Sequence, residues 1–106
     1  DNTVVSAVQS VVKVAEKNNL PLICGESNLV ESGTLGTVGI DYSELGYQTG
    51  EMAVKVLNGA NPGEMPIEYL KNTDLVINLK AADNMEVSIP KEIINKAQTV
   101  IKQVEK

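Results

Sequence analysis

The opening segment, DNTVVSAVQSVVKVAEKNN, is rich in valine, which by propensity favours a strand, but its apolar residues recur with the period of a helix. One apolar face contains residues three or four positions apart: Val4, Val8, Val11, Val12 and Ala15. Lys13, Glu16 and Lys17 fall on the other side, and Asn2 or Thr3 supplies an oxygen for the N-cap. We therefore predict a helix over residues 3–18.

Four short apolar runs, bounded by glycine or polar residues, predict strands. They span residues 20–26, 35–41, 65–70 and 75–79. Two polar segments between these runs, SNLVESG and KAADNME, are each predicted to form a helical turn or two. The chain thus alternates between strands and helical segments.

Two further helices are predicted from the residues at their ends. The first spans about 43–57, with Ser43 as its N-cap, and the glycines and proline of NGANPGE stop it. The second begins with Ser88 as its cap and Pro90 in its first turn. Its apolar stripe consists of Ile93, Ile94, Ala97, Val100, Ile101 and Val104. This alternation predicts an α/β fold, with a layered, mainly parallel sheet flanked by helices.

Composition bounds the size of the protein and the nature of its core. The chain has 106 residues, which is enough for one small domain, predicted here over residues 1–106. There is no phenylalanine and no tryptophan, and tyrosine occurs only three times, so the core must be built from aliphatic side chains. A core of valine, isoleucine and leucine suits helices that pack on a buried sheet.

Charge excludes several classes of function. The net charge is −5 and there is no arginine, whereas proteins that bind nucleic acid need a basic surface. Without histidine the chain has no Ser-His-Asp triad, no Cys-His pair and no imidazole metal site.

The single cysteine, Cys24, lies in the apolar run LPLICGE, and we interpret it as a small buried hydrophobic residue. No carboxylate cluster has the spacing of metal ligands, so no metal or cofactor is expected.

Three polar clusters follow strands or precede helices, where open α/β sheets bind ligands. They are Asp1-Asn2, Glu26-Ser27-Asn28 and Asp41-Tyr42. Their carboxylates and amides suit an amine, a hydroxyl group or a ring nitrogen and do not suit a phosphate. The competing interpretation is that polar residues collect there because loops are solvated and helices need caps. Both interpretations remain open from the residues alone.

Three stretches carry a resemblance to a known family: DNTVVSA, VGIDYSELGYQTG, and INLKAA followed by IP. Together they resemble the carboxyl-terminal part of ABC-transporter substrate-binding proteins, in the branch linked to tryptophan or tyrosine uptake. The resemblance covers the whole chain. It implies the type I periplasmic-binding-protein fold, in which two flavodoxin-like lobes close on a solute. Residues 1–106 would then be a carboxyl-terminal fragment of a two-lobed protein.

The resemblance also implies roles for individual residues. Asp1 and Asn2 match the loop that faces the cleft, and Glu26 and Ser27 match the loop after the next strand. All four are expected to contact solute, with the Glu26 carboxylate holding an amino-acid ammonium. Asp41-Tyr42 would lie at the hinge. The helix that follows would pack on the first lobe through a smooth face of small residues: Gly46, Gly50 and Ala53.

The expected partners are a small-molecule solute, with an amino acid favoured, and the subunits of an ABC permease. The parent protein is expected to be extracytoplasmic, either periplasmic or anchored to the membrane as a lipoprotein, and it is not expected to be an enzyme. An isolated fragment is expected to dimerise or swap domains, because it would expose an apolar helix face and an unpaired strand edge. The alternative is the ligand-sensing effector lobe of a transcription regulator of the same fold, which a basic DNA-binding segment upstream would distinguish.

Overall fold

The computed structural model describes residues 1–102 of the chain. Within this range there are six α-helices: α1 (Asn2–Ser6), α2 (Val8–Lys17), α3 (Ser27–Glu31), α4 (Tyr42–Leu57), α5 (Leu79–Asn84) and α6 (Lys91–Lys96). The strands are β1 (Gly36–Gly39), β2 (Asp74–Asn78) and β3 (Thr99–Ile101), and Pro62–Glu64 forms a 3₁₀ turn. No helix among these residues is long and apolar enough to cross a membrane.

The three strands form one sheet in the order β1-β2-β3. The α/β class is therefore confirmed, but the sheet is mixed, since β1 and β2 are antiparallel while β2 and β3 are parallel. The physical reason lies in the connection between β1 and β2. The chain leaves the sheet after Gly39 and re-enters it at Asp74, and these two residues are paired in the ladder. A parallel neighbour would need a crossover to the opposite end of the sheet.

Two of the four predicted strands form as strands, as β1 and β2, and the other two do not. The segment 20–26 contributes one parallel bridge, Ile23 to Gly36, supported by a 2.7 Å hydrogen bond from the Leu35 amide to the Leu22 carbonyl. Residues 65–70 form no strand. One carbonyl of this segment, that of Tyr69, accepts a hydrogen bond from a side chain of α4 instead of from a strand.

The first predicted helix is divided in two. The backbone at Ala7 (φ −102°, ψ 8°) leaves the helical region and separates α1 from α2. Two caps also differ from prediction, because Asp1 caps α1 and Asp41 caps α4. In both cases a carboxylate one or two positions earlier in the chain takes the role predicted for Asn2, Thr3 or Ser43. The helical turns predicted at SNLVESG and KAADNME form as α3 and α5.

The predicted carboxyl-terminal helix is wrong beyond residue 96. Pro90 is the N-cap of α6, and the chain then forms β3, which pairs with β2 from Val76–Thr99 to Asn78–Ile101. Thr99, Val100 and Ile101 are all β-branched, and such residues pack well on a sheet. Their apolar positions matched a helical stripe, but a strand partner was available. Val104 of that stripe lies outside the described residues.

The described residues divide into two compact units. The first contains residues 1–39 and those from 74 onwards. Its core is a cluster of aliphatic residues from α2, α5 and the chain entering β1: Ala15, Leu35, Ala81, Ala82 and Met85. The second unit is 40–73, which contains α4. None of its residues is buried, and Leu57 is 84% exposed. All fully buried apolar side chains of the described residues therefore belong to the first unit, which gains most of the hydrophobic stabilisation.

A buried amide connects three elements of the first unit. Asn78, the last residue of β2, is only 4% exposed. Its Nδ2 donates to the Val30 carbonyl in α3 at 2.8 Å, and its Oδ1 accepts from the Ala81 amide in α5 at 3.0 Å. Buried polar groups cost free energy unless they are hydrogen-bonded, and both ends of this amide are satisfied. Asn78 thus caps α5 and ties α3 to the sheet.

We expect Asn78→Ala to lower the free energy of unfolding by about 1–3 kcal/mol. The substitution leaves the Ala81 amide without its partner and removes one hydrogen bond from the Val30 carbonyl, which still accepts from the Gly33 amide. The measurement is urea denaturation followed by circular dichroism. The matched control is Asn28→Ala, an exposed position in α3, which should change the stability by no more than about 0.5 kcal/mol. Equal effects of the two substitutions would contradict this role for Asn78.

Candidate functional site

The predicted site residues lie at the first positions of three helices. Asp1 caps α1 through Oδ1, which accepts from the Thr3 amide at 2.8 Å and the Val4 amide at 3.2 Å. Asn2 is the exposed first residue of the same helix. One carboxylate oxygen of Asp1 is therefore used for capping, while Oδ2 forms no hydrogen bond with the described residues. The competing interpretation, that these residues serve as caps, accounts for part of this pair.

Glu26 differs from the other acidic residues of the predicted site. It stands at the N-cap position of α3 with extended backbone (φ −133°, ψ 137°), yet its side chain makes no capping hydrogen bond. The residue is half-buried, and its carboxylate has no hydrogen bond or ion pair with the described residues. Its carbonyl accepts from the Cys24 thiol at 3.3 Å, which helps to fix the loop. The Glu26 carboxylate is thus available to a ligand.

Ser27 lies against the end of β1. A Cβ built at Gly39, the last residue of β1, would collide with Ser27 Oγ and would lie 3.2 Å from Thr37 Cγ2. The loop that carries Glu26 and Ser27 is therefore packed at the carboxyl end of this strand. Among the described residues no hydrogen bond joins this loop to Asp1 or Asn2.

Asp41 and Tyr42 begin α4 in the second unit. Asp41 Oδ1 accepts from the Ser43 amide at 2.7 Å and from the Glu44 amide at 3.2 Å, which is an N-cap geometry. Tyr42 is 63% exposed. The cap fixes the first turn of α4 two residues after β1 ends.

The sequence did not identify the polar interior next to this loop. Cys24 is only half-buried, and its sulfur lies 2.9 Å from Thr34 Oγ1, so the interpretation as a purely hydrophobic residue is incomplete. Thr34 and Thr37 are both buried, and Thr37 Oγ1 has no hydrogen-bond partner among the described residues. Strand alternation around GTVG was the available signal, since it assigns Thr37 and Val38 to opposite faces.

The first unit also contains an apolar groove of about 290 Å³. It is lined almost entirely by aliphatic side chains from the edge of the sheet and from the segment before α6, including Ile23, Val38, Leu75, Val87 and Ile93. No charged side chain lines it. Such a surface suits an apolar group and offers nothing to an ammonium or a carboxylate. It is chemically unlike the Glu26–Ser27 loop.

A polar groove of about 280 Å³ lies in the second unit, between α4 and residues 68–72. Gln48 Nε2 donates to Glu68 Oε2 at 3.1 Å and to the Tyr69 carbonyl at 3.2 Å. Lys55 Nζ lies 3.6 Å from Glu68 Oε1. The hydrogen bond from Gln48 is the largest cause of a lowered pKa of Glu68, and Lys55 lowers this pKa further, against a smaller opposing effect of burial.

No group of three or more potential ligands among histidine, cysteine, aspartate and glutamate could hold a metal ion in residues 1–102. What the site offers is a free carboxylate at Glu26, a hydroxyl at Ser27, and the free oxygen of Asp1. These groups can hold a cation or donate and accept hydrogen bonds, and they supply no nucleophile activated by a base.

Known proteins of one family match this chain over almost all of its length. The profile of the family described as "ABC transporter substrate binding protein" matches residues 1–101. The chain is 44% identical over 91 residues to the tyrosine-binding protein of Clostridioides difficile strain R20291, covering 83% of this chain and 26% of that protein. It is 32% identical over 81 residues to an uncharacterised protein of Rickettsia prowazekii strain Madrid E, covering 76% and 27%.

Solved structures of substrate-binding proteins are also similar to this chain. The chain superposes with a TM-score of 0.79 and 36% identity on the ABC domain from Streptococcus pneumonia in complex with L-Trp, covering 95% of this chain and 34% of that one. For the ligand-free, open structure of CD0873, a substrate-binding protein with adhesive properties from Clostridium difficile, the TM-score is 0.72 and the identity 38%, with coverages of 97% and 34%. The chain spans about a quarter of the curated relatives and a third of these solved chains.

We expect Gln48→Leu to raise the pKa of Glu68 towards its ordinary value, because the substitution removes the main hydrogen bond to the carboxylate. The measurement is a carbon-13 NMR titration of the side-chain carboxyl. Since the folded-state pKa is lowered, the interaction adds stability above the unfolded-state pKa and loses it as pH falls through the folded value. Lys71→Met is the control and should produce a smaller rise, because Lys71 is the smallest contributor. Equal rises would refute the assignment to Gln48.

Proposed function

We propose, from the premise that this chain belongs to the family of ABC transporter substrate-binding proteins, that it is part of a receptor for an aromatic amino acid. The receptor would deliver its solute to an ABC importer. The observation that carries the proposal is the similarity to two relatives whose names state such a ligand, tyrosine in one and L-Trp in the other. This is a family of solute-binding proteins and not of enzymes, in line with the binding module expected from the sequence.

We place the chain at the carboxyl-terminal portion of a two-lobed protein with the type I periplasmic-binding-protein fold. Its two compact units support this placement, because the chain passes between them only after Gly39 and before Asp74. These two residues are paired in the sheet, so the chain leaves and re-enters the first unit at neighbouring positions. Asp41 and Tyr42 would form part of the hinge. The Asp41 cap holds the first turn of α4 and thereby confines a backbone change to the residues that precede it.

The proposed solute contacts from this portion are Asp1, Asn2, Glu26 and Ser27. Glu26 is the strongest of the four, because its carboxylate has no partner among the described residues. A carboxylate that is half-buried and unpaired can form a charge-assisted hydrogen bond to the ammonium group of an amino acid. Ser27 is the next residue in the chain, and its hydroxyl can bind the solute carboxylate or ammonium. Asp1 retains Oδ2 for the same purpose.

The proposed partners beyond the solute are the subunits of an ABC permease. The proposed location is extracytoplasmic, as a periplasmic protein or a membrane-anchored lipoprotein. The isolated chain would self-associate, an expectation supported by the absence of any buried residue between 40 and 73. The alternative of an effector lobe in a transcription regulator has no counterpart among the relatives described above.

A thermal-shift screen of the full-length protein tests the proposed ligand class. The panel contains the amino acids together with purines and simple sugars. A solute at 100 times its dissociation constant should add about 2.7 kcal/mol to the stability of the native state. We expect the melting temperature to rise with tryptophan or tyrosine and not with sugars or purines. A flat response to every amino acid would refute the assignment.

Glu26→Gln tests the proposed role of the carboxylate. In the full-length protein we expect it to weaken binding of the amino acid roughly 10- to 100-fold, because it removes a charged hydrogen-bond partner of the ammonium. Isothermal titration calorimetry measures the change. Glu31→Gln, an exposed glutamate in the same short helix, is the matched control and should bind as the wild type does. Equal affinities of Glu26→Gln and the wild type would remove Glu26 from the site.

A further inference from the structure

The end of β1 and the start of α3 are packed more closely than a side chain at residue 39 would allow. A Cβ at Gly39 would overlap Ser27 Oγ, and it would also lie 3.5 Å from the Ser27 backbone nitrogen. The separation from the nitrogen is an ordinary van der Waals contact, so within Ser27 the conflict is with the hydroxyl alone. Gly39 is itself buried, so a Cβ placed there would lie inside the first unit.

The position of this contact in the chain gives it significance. Gly39 is the last residue of the first unit before the chain enters residues 40–73, and it pairs with Asp74, where the chain returns. Ser27 follows directly on Glu26, whose carboxylate is free. The contact therefore joins the loop with the available polar groups to the strand that leads into the second unit.

A larger residue at 39 has two ways to be accommodated. The Ser27 hydroxyl can rotate to another staggered position, or the loop can move away from the strand. The Thr37 methyl, at 3.2 Å from such a Cβ, must also give way by a few tenths of an ångström. Either adjustment moves the Ser27 hydroxyl from the place that it occupies at the end of β1. The effect of a side chain at 39 is thus transmitted to Ser27 more than to the hydrophobic core.

We propose that Gly39 is a positioning residue of the solute site, which holds the Ser27 hydroxyl and the Glu26 loop in their binding positions by leaving space for them. This inference rests on the proposed function of the Glu26–Ser27 loop. Gly39 does not touch solute in this account. It acts through Ser27, and it links the geometry of the loop to the strand that connects the two units.

The test uses the full-length protein and four variants: Gly39→Ala, Ser27→Ala, the combination of these two, and Gly25→Ala. We expect Gly39→Ala to weaken binding of tryptophan or tyrosine about tenfold, the loss that follows from one misplaced hydrogen bond. In the Ser27→Ala background the same substitution should cost no further affinity, because the displaced hydroxyl is already absent. Gly25→Ala is the control, since a Cβ there meets nothing within 4 Å, and it should bind as the wild type does.

Thermal unfolding of the same proteins without solute supplies a readout that does not depend on binding. The fall in Tm caused by Gly39→Ala should be smaller in the Ser27→Ala background than in the wild type. A receptor that binds amino acids normally with Gly39→Ala overturns the inference and leaves the proposed function intact. If the wild type binds no amino acid, the proposed function fails, and the unfolding data alone then test the contact between Gly39 and Ser27. If the falls in Tm caused by Gly39→Ala and Ser27→Ala simply add in the double variant, the proposed coupling between the two residues is refuted as well.

Discussion

The arrangement of the first unit depends on the requirement that a buried amide be hydrogen-bonded at both ends. Asn78 meets it with the Val30 carbonyl on one side and the Ala81 amide on the other, and its own backbone amide donates to the Leu35 carbonyl at 2.9 Å. These partners belong to α3, α5 and the entry to β1. Because unsatisfied buried polar groups are costly, the three elements are fixed in register at one point. The position of the Glu26–Ser27 loop follows, since α3 begins at Ser27.

Local patterns in the sequence predicted most of the elements but not their pairing. The periodicity of α2, the residues at the ends of α4 and the apolar runs of β1 and β2 were sufficient, because these features are decided within a few residues. The segment 65–70 has the same composition as a strand but finds no ladder partner. Residues 99–101 fit a helical stripe but pair with β2. Strand formation depends on a neighbour that is distant in sequence, which periodicity does not reveal.

The candidate site could be predicted to the level of its loops and no further. A carboxylate just before a helix serves equally well as a cap or as a ligand contact, and the sequence does not distinguish these roles. The structure separates them, since Asp1 and Asp41 use Oδ1 for capping whereas the Glu26 side chain is uncommitted. The contact between Ser27 and Gly39 could not be predicted from the sequence either, because it joins residues from different elements. A glycine at a strand end has many explanations until its neighbour is known.

The two units differ in how their stability arises, and this difference bears on how such a receptor responds to solute. The first unit buries its own aliphatic cluster, whereas residues 40–73 contain no fully buried residue and leave Leu57 almost fully exposed. In the proposed full-length receptor, the second unit would therefore owe its stability to surfaces outside this chain. A solute changes the equilibrium between open and closed forms only through its different affinity for them. A solute whose contacts are divided between the two lobes makes all of them only in the closed form. Its affinity for the closed form therefore exceeds its affinity for the open form, in which one lobe alone supplies part of the binding free energy. By the same reasoning, we expect the isolated chain to bind solute weakly.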